Sequence, residues 1–161
     1  MKRLIVLMFV IILCLSGCIS KQTLTMPFNG DVKFYDVSLT IPEDFIRDST
    51  QSDENGWVFE KNYYSQMIII TRSNVVGDVG ELLDGYMEQM HQMEFESQRT
   101  TFRERDAVLS EYTLNEQYCR EMCFPHEDSL YFVALRGGTE EEFYTLLDTI
   151  VFLEKSDNDS V

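Results

Sequence analysis

The chain has 161 residues, with 13 Lys and Arg against 28 Asp and Glu, a formal net charge of −15 and 44% hydrophobic residues. That length suits one domain once a leader is set aside. The acidity argues against nucleic acid, whose phosphates would repel the surface, and against lying flat on an anionic membrane.

The first eighteen residues read MKRLIVLMFVIILCLSGC. Lys2 and Arg3 give a positive start, Leu4 to Leu15 is an apolar run, and Ser16 and Gly17 are small. This is the three-part layout of a secretory signal, to be kept out of fold reasoning. Twelve apolar residues rise only about 18 Å as a helix, short of the roughly 30 Å of a bilayer core. Leu15-Ser16-Gly17-Cys18 resembles a bacterial lipobox. The resemblance implies cleavage before Cys18 and a diacylglyceryl group on its sulfur. Two acyl chains are enough for stable anchoring. The expected localisation is therefore the cell membrane, lipid-anchored on its extracytoplasmic face. The mature chain loses Lys2 and Arg3, which leaves 11 basic residues and a net charge near −17.

Residues 18–30 mix Ser, Thr, Pro, Asn and Gly without periodicity and read as a tether. One domain is expected over 31–154, with a polar, disordered tail at 155–161. Val37, Leu39 and Ile41 alternate with Ser38 and Thr40, the period of a strand, and Pro42 ends it. Residues 47–56 form a polar loop. Trp57 to Glu60 is a short strand, and Met67 to Ile70, within the stretch Tyr63 to Thr71, reads as a central strand buried on both faces. Val79, Leu82, Leu83, Tyr86, Met90 and Met93 make one helical stripe. Asp78 and Glu81 form its capping start. Residues 99–114 look extended, with a turn at 115–117, a return strand from Tyr118 to Phe124, a turn over 125–128 and a strand from Leu130 to Leu135. Thr139 and Glu142 cap a last helix striped by Phe143, Leu146, Leu147 and Ile150. Runs of adjacent strands broken by helices predict an α+β domain, a mainly antiparallel sheet with two helices packed on it.

The element order, the opening SLTIPEDF, the central MIIITRSN and the closing EEFYTLLDTIVF resemble the PsbP/Mog1-like fold over residues 31–153. That family includes photosystem accessory proteins and a nuclear-transport factor. The resemblance implies a layered fold and a non-enzymatic role, and no functional residue is carried over.

The candidate chemistry is sparse. Cys119, Cys123 and His126 form C-x₃-C-x₂-H. The two thiols stay free if the segment is a straight strand, where they stand about 13 Å apart. They make a disulfide if it bends, or they join His126 as soft metal ligands lacking a fourth partner. Ser52 to Gly56 resembles part of a calcium loop, but Gln51 and Asn62 stand where the first and last acidic ligands belong. His91 reads as a surface histidine, and Met87, Met90 and Met93 as core packing. No nucleophile elbow, P-loop or dinucleotide fingerprint is present. No catalytic residue, metal or cofactor is assigned. The expected partners are the membrane, through the lipid, and an envelope protein or small ligand. The rival readings are a secreted hydrolase or metal-dependent enzyme with a cleft of perturbed acids, and a divalent-cation module in which Asp53, Glu54 and Asp128 converge.

Overall fold

A computed structural model describes residues 30–154. The leader, Cys18, most of the tether and the tail lie outside these residues. Chain order is β1 (Gly30–Phe34), β2 (Val37–Ile41), β3 (Ile46–Arg47), β4 (Gly56–Lys61), β5 (Gln66–Asn74), α1 (Val79–Gln92), β6 (Glu96–Phe102), β7 (Arg105–Leu114), β8 (Gln117–His126), β9 (Ser129–Arg136), α2 (Glu140–Asp148) and β10 (Val151–Phe152). The strands form a seven-stranded sheet, ordered β3-β4-β5-β9-β8-β7-β6, and a three-stranded sheet, β1-β2-β10. Every pairing among the described residues is antiparallel. The domain is α+β, with two helices packed on mainly antiparallel sheets.

Met67 to Ile70 is buried residue after residue. Successive side chains of a strand point to opposite faces, so both faces of the large sheet must be covered. On one face the small sheet and α2 bury Phe34, Val37, Leu39, Ile41, Phe143 and Ile150 against Phe59, Ile68, Phe124 and Tyr131. On the other, α1 lays Leu83, Tyr86 and Met90 over Val108, Cys123 and Leu130. Both helices start where their caps predict. The Asp78 carboxylate accepts the Glu81 N–H at 3.0 Å. Thr139 and Glu142 complete a reciprocal capping box.

Three expectations change. Residues 99–114 are not one strand but the hairpin of β6 and β7, closed by Arg103 and Glu104, both in the left-handed region at φ 48° and 66°. Pro125 does not break β8, which runs on to His126, so the turn shrinks to Glu127 and Asp128. Arg47 belongs to a two-residue strand rather than to the polar loop.

Two glycines give a paired test. Gly137 has φ +74°, and a Cβ there would collide with the Ser65 carbonyl oxygen. Gly85 lies exposed inside α1 with open space around it. Gly137→Ala is expected to lower unfolding stability by at least about 2 kcal/mol. Gly85→Ala is expected to raise it by roughly 1 kcal/mol through helix propensity. Urea titration followed by circular dichroism measures both; equal effects would contradict the local geometry.

Candidate functional site

The residues singled out by sequence do not gather. Cys119 and Cys123 face α1 on β8, whereas His126, an odd number of residues along the same strand, faces the other layer. Its ring stacks on Phe152 of β10, centroids 4.6 Å apart. Strand periodicity thus separates the thiols from the imidazole and rules out a shared metal. Nor is the candidate disulfide formed: both thiols are free and buried, because β8 continues straight through them. Burial pushes the Cys119 thiol to about 11, against a smaller opposing pull from Arg136. Cys123 is also pushed well up, first by burial and then by the Glu121 charge.

The loop at 48–56 is organised around a carboxylate. Asp48 accepts from the Thr50 N–H (2.8 Å) and hydroxyl (2.6 Å), the Gln51 amide (3.0 Å) and the Tyr64 hydroxyl (2.7 Å). Burial opposes its ionisation, but the bonds from Thr50, Tyr64 and Gln51 outweigh it and hold the carboxyl below its usual range. Asp53 turns back on the Asn55 N–H at 2.7 Å. Among the described residues, no group of three His, Cys, Asp or Glu is placed to hold a metal ion. Asp53, Glu54 and Asp128 therefore do not converge on a cation.

One polar cluster escaped the sequence reading. Val58, Ile69, Ala134, Glu121, Ser110 and Ser97 are successive cross-strand partners, one row running from β4 to β6. Glu121 sits in that row, beneath α1, and is 8% exposed. The Tyr86 hydroxyl of α1 donates to its Oε1. The Tyr112 hydroxyl of β7 donates to its Oε2 at 3.4 Å. Burial raises the Glu121 pKa, and the two phenols restrain the rise. Burial first, then the Glu121 charge, drives both phenols well above their ordinary value. Ser110 Oγ, beside Tyr86, is buried without a hydrogen bond of good geometry. Glu121 was legible only as an acid flanked by Cys119 and Cys123 in a strand-period segment, at a core-facing position.

Two open concavities lie at the β6–β7 end. One, of about 440 Å³, is lined by Met93, Glu94, Phe95, Glu96, Tyr112 and Tyr118, among others. A second, of about 210 Å³, is lined by Glu96, Ser97, Gln98, Leu109 and Glu111. They share Glu96 and Glu111 and so adjoin as an acidic groove at the start of β6, one part reaching the α1 face through Met93, Phe95 and Tyr112, the other lying on the opposite face beside Leu109. Glu111 is engaged by Arg120 at 2.7 Å, and Arg120 also reaches Glu140 at 3.1 Å and covers the Tyr118 ring. Met90 is core, with Met87 and Met93 packed against the same cluster. His91 is exposed, and its Nε2 lies 3.0 Å from the Ser97 carbonyl oxygen of β6.

With this geometry in hand, the chain is similar to cyanobacterial PsbP (CyanoP) from Synechocystis. The TM-score is 0.54 at 11% identity, over 85% of this chain and 98% of that one. The fold is PsbP-like. A crystal structure of a protein from Bacteroides thetaiotaomicron gives a TM-score of 0.55 at 11% identity, over 80% of this chain and 50% of that one. No family model matches the chain, and no curated protein matches it. At such identities the PsbP-like likeness is one of fold, and no residue takes a role from it.

Two measurements check the buried cluster. A carboxyl whose folded pKa is raised favours the folded state below its unfolded pKa, and that contribution is lost as pH rises through the folded value. Glu121→Gln should therefore gain stability relative to the parent as pH climbs from acid toward neutral. Denaturant midpoints at several pH values would show it, and a pH-independent difference would refute it. Tyr86→Phe should cost about 1–3 kcal/mol by leaving the carboxyl one donor short. Separately, iodoacetamide at neutral pH should label neither Cys119 nor Cys123 in the native domain. After unfolding without reductant it should label both.

Proposed function

We propose that the protein is a lipid-anchored extracytoplasmic domain, held at the cell membrane through Cys18, with a non-catalytic binding or accessory role in the cell envelope. The single observation that supports the non-catalytic part is where the buried cluster of displaced groups around Glu121 lies. Glu121, Tyr86 and Cys123 are sealed between α1 and the sheet. Tyr112 alone of this cluster also lines the open groove, and its hydroxyl is turned onto Glu121. A phenol that holds its proton this hard is poorly matched to acid–base work near neutral pH. The anchor rests on the leader sequence, and the PsbP-like fold agrees with the non-enzymatic role that the resemblance implied.

The intact mass of the purified protein tests the anchor, alongside a Cys18→Ala variant. The expected result is a chain beginning at residue 18 and carrying acyl mass, with the variant left uncleaved. An unlipidated species cut elsewhere would overturn the anchor and restore a secreted enzyme as the leading alternative.

A further inference from the structure

The large sheet ends on one side at β3, two residues long, and on the other at β6, seven residues long. Among the described residues no strand pairs with the outer edge of β6. Two observations fix which of its backbone groups face outward. The Phe102–Arg105 pair flanks a two-residue loop, and the pair next to such a loop is bonded in both directions. Counting back in twos, Thr100, Gln98 and Glu96 bond β7, while Thr101, Arg99 and Ser97 turn their N–H and C=O outward. Independently, the Ser97 carbonyl oxygen meets His91 Nε2, which a strand partner would otherwise occupy. A carbonyl can only accept, so the imidazole donates there.

The remaining outward positions are accessible. Arg99 and Thr101 are exposed. The Arg99 guanidinium is drawn back onto α1, 2.8 Å from Asp84 and 2.9 Å from the Gly80 carbonyl oxygen. The acidic groove runs beside this edge, with Glu96 and Gln98 in its wall. Arg120 takes up Glu111, which leaves Glu94 and Glu96 to set the sign of the groove in a chain already at −15. An incoming strand would set its side chains directly across from Glu96 and Gln98, where opposite charge stabilises and like charge destabilises.

We propose that the outer edge of β6, with the groove beside it, docks an extended basic segment of a partner protein as an additional strand. Main-chain bonds to Arg99 and Thr101 would supply affinity, and the carboxylates of Glu94 and Glu96 would select Lys or Arg. The proposal rests on the binding role above and specifies its surface.

The test uses the full chain, purified from whichever cell fraction holds it, so it does not depend on the anchor. The probe is a fluorescent synthetic peptide of about nine residues alternating Lys with Val and Thr. Saturable binding should slow amide exchange at Arg99 and Thr101. A twin peptide with Glu for Lys should not bind. Thr101→Pro removes one outward N–H without touching a bond to β7, and should weaken binding at least about tenfold. Glu96→Lys should weaken it about fivefold, one cross-strand charge pair. Absence of saturable binding would overturn the proposal while leaving the anchored-domain reading intact. Binding with unchanged exchange at Arg99 and Thr101 would also overturn it, as attraction by charge alone. So would full protection of those amides without peptide, which would mean that the edge is already covered by this chain's own residues.

Discussion

Two-sided burial of a seven-stranded sheet is the constraint from which the rest of the domain follows. A sheet with one wet face needs one cover. Here the run Met67 to Ile70 in β5 offers apolar side chains to both sides, and neither side tolerates water. Neither helix alone is long enough. A fourteen-residue helix is about 21 Å long, while seven strands span close to 29 Å at about 4.8 Å spacing. One face is therefore closed by a composite cover, the small sheet plus α2. On the other, α1 occupies the β6–β8 end, and Val58, Met67, Ile69 and Ala134 form their own small cluster.

A carboxylate lies beneath the shorter cover, α1. The apolar stripe of α1 is held by non-directional burial. A bond between Tyr86 and Glu121 has one geometry, and losing it strands a charge or an acid proton in a dry site. The contact restricts the rotation and height of α1 in a way that Leu83 and Met90 do not. Arg99 adds a second fixed point toward the helix N-terminus, through Asp84 and the Gly80 carbonyl. His91 adds a third at the helix C-terminus.

Elements whose period and boundary chemistry agree were legible in the sequence. β2 alternates cleanly, β5 is apolar throughout, and both helices carry a stripe and a cap. The hairpin of β6 and β7 was not legible. Its loop, Arg103-Glu104, contains none of the Gly, Asn or Asp that favour a left-handed pair, so two strands merged into one extended stretch. Pro125 misled in the other direction, as a break signal inside a strand that continues. β1 has only Val32 and Phe34 to mark it. The site was harder still. Whether a polar residue is a surface group or a buried anchor depends on strand parity across six partners. Glu121 acquires its meaning from Tyr86, 35 residues away, together with Tyr112, and His91 only from a strand edge that the sequence does not announce.

The small sheet also gives the domain a polarity along its length. β1 and β10 flank β2, with Gly30 opposite Ile41 and Phe152 opposite Val37. The chain thus enters at one end of β2 and departs at the other. The entry end continues through the Lys61–Asp44 ion pair to the tips of β7 and β8, where the acidic groove lies. The departure end gathers His126, Arg105, Phe102 and Phe124 around Phe152. Whatever is fused after Phe152 stands at the pole opposite Gly30. Labels placed on Gly30 and on Phe152 therefore report on opposite ends of β2.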